Sequence, residues 1–408
     1  MWADHPRAGD PLADYPSGMA GRKRSSPPRP IAPGDVVAAF SDALDEWTVA
    51  QITDLNPDGE TAGVLELNWS GPEPASVADL GEVSALVLTH HYWNGCLSHC
   101  NYEWVLPRSY TIIGSLPLLC TKPSQSYSTG WRLGEQLACQ RRWDRGERDP
   151  RSDPHEMSIT GADVGQMTNE PADPRRDVRH LHVTEVESLD CDRLAGRFPD
   201  LTTLSLSGDL GLLLHASSLN RLASLRRLLI TDLFGMSASD ALLPECVPAL
   251  ETLCLHSIPR EYAGAMRSKW RPQIPYGTFV DITAARAPEW VAENRGNPLR
   301  GWDGRAHISG TCFTKAVAQY KKTRAELITA LSDCSQENQP TRLYEIGREY
   351  GRGFNLLNRR TLFIETVERE ELFAGLDVMV SDAEAALGVR LGSARDTLAA
   401  GVEAVREW

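Results

Sequence analysis

Between Arg29 and Arg108 the chain contains no lysine or arginine, while Asp35, Asp42, Asp45, Glu46, Asp54, Asp58, Glu60, Glu66, Glu73, Asp79, Glu82 and Glu103 all fall in that stretch. This one segment carries nearly the whole of the net charge of −13. Such a surface repels phosphate backbones, which argues against a nucleic-acid partner, and steers a cationic protein toward it. Acids that only keep the chain dispersed are the plainer alternative. Lysine is scarce throughout: six of the 42 basic residues, a bias typical of high-GC bacterial genes.

Long apolar runs are missing too. No stretch approaches the roughly eighteen residues that would span a bilayer, so no membrane partner is expected. Met1 to Pro33 has no apolar core of a secretory leader. Residues 1–31 are expected to be a disordered, mildly basic tail ending in Gly21 to Pro30, and Met19 stays open as the true start. The nine cysteines (Cys96, Cys100, Cys120, Cys139, Cys191, Cys246, Cys254, Cys312, Cys334) are odd in number and irregular in spacing, which excludes a disulfide scaffold and fits a reduced, cytoplasmic protein. There is no CxxC pair, GxSxG elbow, Walker loop or GxGxxG after a strand, and His155-Glu156 lacks the second histidine of a zincin. No residue is nominated as a catalytic nucleophile, and no cofactor is implied.

What the chain does have is a repeat. Val178-Arg179-His180-Leu181-His182-Val183, Leu201-Thr202-Thr203-Leu204-Ser205-Leu206, Leu225-Arg226-Arg227-Leu228-Leu229-Ile230 and Leu250-Glu251-Thr252-Leu253-Cys254-Leu255 share one apolar pattern. Their central leucines, Leu181, Leu204, Leu228 and Leu253, recur at a period of about 20–29 residues, and in this the segment resembles leucine-rich-repeat proteins. The resemblance implies a solenoid over 174–288 whose first, fourth and sixth motif positions point inward. The intervening residues then line an open face: His180, His182, Thr184, Thr203, Ser205, Ser207, Arg227, Leu229, Thr231, Thr252, Cys254 and His256. The Asn or Cys ladder usual after the strand is absent at Thr184-Glu185, Ser207-Gly208-Asp209, Thr231-Asp232 and His256-Ser257.

Around the repeat, the expected class is multidomain α+β. Residues 32–145 are read as an acidic barrel plus a second β-rich unit. Strands at Gly34–Phe40, Trp47–Ile52 and Gly63–Trp69, with turn residues Asn56-Pro57-Asp58-Gly59, resemble SH3-like or Tudor-like barrels. The third strand alternates Val64, Glu66 and Asn68 against Gly63, Leu65, Leu67 and Trp69, as a half-buried strand does. Phe40, Trp47 and Trp69 are the only aromatics for a side-chain cage and are read as core. Further strands are expected at Ala85–Trp93, Tyr102–Leu106 and Tyr110–Leu116, then a helix over Gly130–Trp143. Residues 146–173 read as a charged, proline-punctuated linker. Residues 296–408 read as an antiparallel bundle of four amphipathic helices, with Tyr320, Tyr350, Phe354 and Phe363 as core.

Two clusters could hide chemistry. His90, His91, Cys96, His99 and Cys100 crowd zinc-type ligands together, although adjacent strand residues point to opposite faces. In the cluster Glu365, Glu368, Glu370 and Glu371, Glu365 with Glu368 and Glu368 with Glu371 are three apart and would share a helix face, but acids there also complement a helix N-terminus. Arg141, Arg142, Arg145 and Arg148, with Arg175, Arg176 and Arg179, are interleaved with acids and read as self-compensating.

The modular order resembles leucine-rich-repeat proteins of actinobacterial type. It leads to the expectation of a non-enzymatic interaction protein binding another protein through the repeat face and the acidic barrel. The alternatives are an immunity or regulatory protein neutralising a basic partner, and a zinc-dependent sensor or enzyme using the His90 to Cys100 cluster. Oligomeric state is not specified by the residues.

Overall fold

Apolar β-formers crowd residues 35–71, and they build three long strands, β1 (Asp35–Ser41), β2 (Glu46–Asn56) and β3 (Thr61–Gly71). The structure, a computed structural model, describes residues 29–56, 60–124, 126–127, 130–148, 153–169, 173–333, 339–388, 390 and 392–408. The tail expected over 1–31 therefore lies outside the described residues up to 28, as do turn residues 57–59 and Cys334. The chain is a mixed α+β protein that divides after Arg286 into two compact units. Among the described residues no helix is long and apolar enough to cross a membrane.

The three strands do not stand apart as a unit of their own. β4 (Val87–Leu88) and β5 (Cys96–Leu97) make a small hairpin, while β6 (His99–Glu103), β7 (Thr111–Ser115) and β8 (Ser126–Tyr127) join the first sheet in the order β7-β1-β2-β3-β6-β8. The expected barrel and second β-rich unit are thus one interleaved sheet. It is also buried on both faces. Val37, Ala50, Ile52, Val64 and Trp131 pack on one side, and Val36, Ala38, Val49, Leu65 and Leu67 on the other. The third strand is therefore not half-buried as its alternation implied. Trp47 and Trp69 pack against the second cluster, as core.

Glu66 shows the consequence. It shares the Val64 side of β3, is only 2% exposed, and accepts hydrogen bonds from Ser98 Oγ (2.9 Å) and the Gly134 N–H (2.9 Å). Burial pushes its carboxyl up to about 7, against the lowering effect of those two donors. The helix after this sheet, α1 (Glu135–Asp144), is shorter than the expected Gly130–Trp143 because Gly134 precedes it at φ 90°. Trp131 and Leu133 instead fill the sheet's core, with Trp131 Nε1 donating to Glu103 O (2.8 Å).

Beyond Asp153 the chain builds a second, wholly parallel sheet. Its strands are β9 (Glu156–Thr160), β10 (His180–Asp190), β11 (Thr203–Leu214), β12 (Arg227–Phe234), β13 (Thr252–His256) and β14 (Phe279–Thr283), in the order β14-β13-β12-β11-β10-β9. Helix α2 (Gly161–Asn169) comes directly after β9, so the expected linker over 146–173 holds a strand and a helix among its described residues. The correction has a simple cause. Met157 and Ile159 pair in register with Leu181 and Val183, so five residues with two apolar side chains suffice to add an edge strand.

The register lines up Met157, Leu181, Leu204, Leu228, Leu253 and Val280 as one ridge, and Ile159, Val183, Leu206, Ile230, Leu255 and Ile282 as the next. The central leucines are fully buried, each worth about 1.5–3 kcal/mol against exposure. Helix α3 (Cys191–Arg197), short 3-10 turns and helix α4 (Arg260–Trp270) return the chain across the ridge side. Asp190 caps α3 by accepting from the Asp192 N–H (2.9 Å).

Two backbone ladders replace the missing side-chain ladder. At the strand starts the carbonyls of His155, Arg179, Thr202 and Arg226 each accept two successive N–H groups from the next repeat. Just beyond the shared register Glu185, Asp232, Ser257 and Ala284 all take left-handed φ near 50°; β13 and β14 end there, whereas β10 and β12 continue with a shifted register. β11 takes its left-handed residue slightly later, at Leu210 (φ 55°), after Gly208, where a Cβ would lie 2.5 Å from Val186 O.

The second unit is helical: α5 (Pro288–Asn294), α6 (Gly310–Asp333), α7 (Gln339–Asn358), α8 (Thr366–Leu387) and α9 (Ala394–Glu403). Trp302, Tyr320, Tyr350, Phe354 and Phe363 are buried together with Leu376, Met379 and Leu398. Helices α7 and α9 cross almost backbone to backbone. A Cβ on Gly347 would sit 2.1 Å from Leu398 O, and one on Gly401 2.1 Å from Tyr344 O.

This packing makes two outcomes measurable. Gly401→Ala should destabilise the helical unit by about 1–3 kcal/mol through overpacking, whereas Gly392→Ala, where a Cβ meets nothing within 4 Å, should not; thermal melts compare them, and equal midpoints would remove the close-crossing account. Because the Glu66 pKa is raised on folding, its favourable contribution is complete below about 4.5 and lost as pH rises through about 7. Glu66→Gln should therefore stabilise the protein by up to about 3 kcal/mol on the alkaline side. Denaturant midpoints on either side of that window test this, and an unaltered pH slope would refute it.

Candidate functional site

A strand carries successive side chains on opposite faces, so once the leucine ridges are buried the residues between them must lie on the other face. The register arranges them in three rows. The row nearest the strand starts is Glu156, His180, Thr203, Arg227, Thr252 and Phe279. The middle row is Ser158, His182, Ser205, Leu229, Cys254 and Asp281, and a third row, at the ends of β9, β13 and β14 but partway along β10, β11 and β12, is Thr160, Thr184, Ser207, Thr231, His256 and Thr283. All twelve lining residues named from the repeat pattern fall on this face. Those of β9 and β14 escaped the pattern because Met157, Ile159, Val280 and Ile282 replace leucine at the ridge positions.

The face is not open across its width, as the repeat alone implied. The first unit's N-terminal sheet segment lies over the row at the strand starts. Arg227 donates to Trp131 O, Arg108 donates to Pro248 O and Thr278 Oγ1, and the Ser109 N–H donates to Glu251 Oε1 (2.8 Å). Burial pushes the Arg227 guanidinium below its ordinary value, Arg132 adding to the shift, while burial raises the carboxyls of Glu103 and Glu135 that face it. His180 is likewise held down by burial, against Asp153, Asp42 and Glu156, and His180 Nδ1 lies 3.4 Å from Asp153. Arg227 is thus a structural staple and not a free contact residue.

Over the third row the cover stops. Thr184, Thr231, His256 and Thr283 are exposed and Ser207 is half-buried. His256 Nδ1 and Thr283 Oγ1 are 2.9 Å apart. Glu185, Glu187, Asp209 and Asp281, each within three residues of the row along the chain, are exposed as well. In the middle row Cys254 is half-buried, and burial with Asp281 and Glu103 pushes its thiol up to about 12. A thiol raised in this way stays neutral and presents its sulfur in the protonated form. The surface offers hydroxyl, imidazole and carboxylate groups for hydrogen bonds and for cations.

The other clusters are placed differently. His90, His91, Cys96, His99 and Cys100 do not converge. His99 Nε2 meets Thr53 Oγ1 at 2.8 Å, Cys100 pairs with Val64 within the sheet, and Cys96 is exposed on the hairpin. His90 and His91 lie against Cys139 of α1 instead.

In the helical unit Glu368 is 2% exposed, accepts from the Glu365 N–H (3.1 Å), and is held by Arg305 and His307. Burial raises this carboxyl, but the Arg305 hydrogen bond and the other donors outweigh it and leave it below the usual range. Glu371 accepts from Trp302 Nε1 (2.8 Å) and pairs with Arg305. These acids cap α8 and anchor it. Among the basic clusters, Arg141 pairs with Glu46, Arg145 with Glu147, Arg175 with Asp177 and Arg176 with Asp200, while Arg148 stacks on Trp143.

Arg227→Ala should cost about 2 kcal/mol of stability, the typical worth of a charged hydrogen bond, and should speed amide exchange between Gly130 and Leu133 before it affects β13. Unaltered exchange in that segment would show that Arg227 does not hold the cover in place. The chain matches no protein-family description, no curated protein and no solved structure.

Proposed function

We propose that this chain is a non-enzymatic interaction protein, a scaffold or adaptor, whose parallel sheet is a short leucine-rich-repeat stack. The six-strand register with its two apolar ridges supports that assignment. The continuous β1–β2–β3 meander, bent by register shifts at Thr48/Ala50 and Ile52/Asp54, supports reading the N-terminal strands as an SH3-like module that has grown a wider sheet. The second unit is read as a helical bundle.

The observation that carries the function is the uncovered third row. Short side chains at Ser207, Thr231 and Thr283, in register on the parallel sheet, with exposed Thr184 on the neighbouring strand, cost little conformational entropy to dock against. The partner is proposed to be a basic protein surface, because Glu185, Glu187, Asp209 and Asp281 are exposed within three residues of the row along the chain and the stretch between Arg29 and Arg108 carries no lysine or arginine. His182, Ser205, Leu229 and Cys254 would contribute the inner margin of the contact. A cytoplasmic setting is part of the same proposal, resting on the free thiols among the described cysteines.

The test is affinity capture from the host with the wild-type chain and a Thr184→Arg/Thr231→Arg double variant. The variant should recover the wild-type partner at least about tenfold less well, corresponding to about 1.4 kcal/mol or more, with capture weakening as salt rises and the thermal midpoint unchanged. Equal recovery by both baits would sink the proposal.

A further inference from the structure

The hairpin between Val87 and Leu97 holds two histidines that an extended strand would keep on opposite faces. It is not extended there. His91 takes φ 49°, Asn94 φ 48° and Gly95 φ 85°, and the folded loop is closed by Gly95 N–H to Leu88 O (2.8 Å) and Trp93 N–H to His90 O (3.2 Å). The result sets His90 Nδ1 3.0 Å from His91 Nδ1.

Helix α1 supplies a third group. Cys139 faces the same point, and its sulfur and one ring nitrogen of each histidine lie within 4.8 Å of one another. A tetrahedral zinc with nitrogen at about 2.05 Å and sulfur at about 2.3 Å needs separations of about 3.3–3.6 Å, within a small side-chain adjustment of this arrangement.

The surroundings orient the ligands as metal sites do. His90 Nε2 faces Gln136 Oε1 at 3.1 Å, and an amide oxygen only accepts, so Nε2 carries the hydrogen and Nδ1 presents its lone pair inward. Gln140, one turn further along the same helix face, accepts from the Thr89 N–H (2.7 Å) and donates to Thr89 Oγ1 (2.7 Å), fixing the loop to the helix. Trp143 packs on the His91 ring with centroids 5.4 Å apart. Arg142 reaches Cys139 Sγ at 3.5 Å and places positive charge beside a metal-bound sulfur. His90 is buried whereas His91 is exposed, so one side of the cluster faces solvent.

We infer that His90, His91 and Cys139 form a zinc-type site with two nitrogen ligands, one sulfur ligand and a fourth position left for water or an added ligand. The site ties the 89–95 loop to α1. It is independent of the docking row and stands or falls separately from the proposed function.

The full chain, stripped with chelator and kept reduced, is titrated with Zn²⁺ alone and, in parallel, with Co²⁺. Wild type should bind one equivalent of Zn²⁺, and Co²⁺ should give a near-ultraviolet sulfur-to-cobalt charge-transfer band. Cys139→Ser should lose that band. His91→Asn, chosen because asparagine tolerates left-handed backbone, should weaken binding at least tenfold, while Cys96→Ser should bind as wild type does. Gln136→Ala should weaken affinity by roughly 10–100-fold by releasing the His90 ring. Circular dichroism without metal identifies any variant that has merely failed to fold, so that the exposed His91→Asn remains decisive if Cys139→Ser is lost. Failure of the wild-type chain to bind Zn²⁺, or a band that survives in Cys139→Ser and vanishes in Cys96→Ser, overturns the site.

Discussion

The first unit depends on keeping parallel strands in one register. Because side chains alternate along a strand, slipping β12 by a single residue would carry Leu228 and Ile230 to the uncovered face and bring Arg227 and Leu229 into the ridge. The ridge from Met157 to Val280 therefore fixes every other position on the sheet, including which residues can meet a partner. The paired N–H groups on the His155, Arg179, Thr202 and Arg226 carbonyls enforce the same register from the backbone at the strand starts. The left-handed residues Glu185, Asp232, Ser257 and Ala284 then break that register at the same level, ending β13 and β14 and shifting β10 and β12.

That regularity leaves two problems that a repeat cannot solve for itself. Its end strands have unpaired edges, and here the short β9 and β14 close the order, with α2 and α4 packed beside them. Its polar face is also partly wrapped. The N-terminal sheet, itself buried on both sides, brings Arg108, Ser109 and Trp131 onto the strand starts. The acidic segment is therefore partly an internal surface. Glu103 of that segment faces Arg227, as Glu135 does from α1, whereas the exposed carboxylates Glu185, Glu187, Asp209 and Asp281 come from the repeat strands and not from the acidic block.

The helical unit obeys another rule. Its aromatic core is assembled from residues far apart in sequence, Trp302 meeting Phe354 and Phe363 edge to face at 6.3 and 5.9 Å. Glycines allow α7 and α9 to touch along their backbones. The buried Glu368 is tolerated because Arg305, His307 and the first-turn N–H groups of α8 satisfy it.

Some of this was written in local pattern, and some was not. The four repeat strands, the inward leucines, the outward rows and the C-terminal helices are set by apolar period, which acts over a few residues and so shows in the chain itself. The sheet edge at Glu156–Thr160 was hidden because two apolar residues carry no period, and its neighbour alone makes it a strand. The cover over Arg227 and the two-sided burial of β3 come from segments distant in the chain. So does the meeting of His90 and His91 with Cys139, which the hairpin's left-handed turns and α1 bring about jointly. The sequence by itself determined which faces would seek water and which would avoid it. Only tertiary structure decided which of the water-seeking groups would reach it, because that depends on what the rest of the chain lays over them.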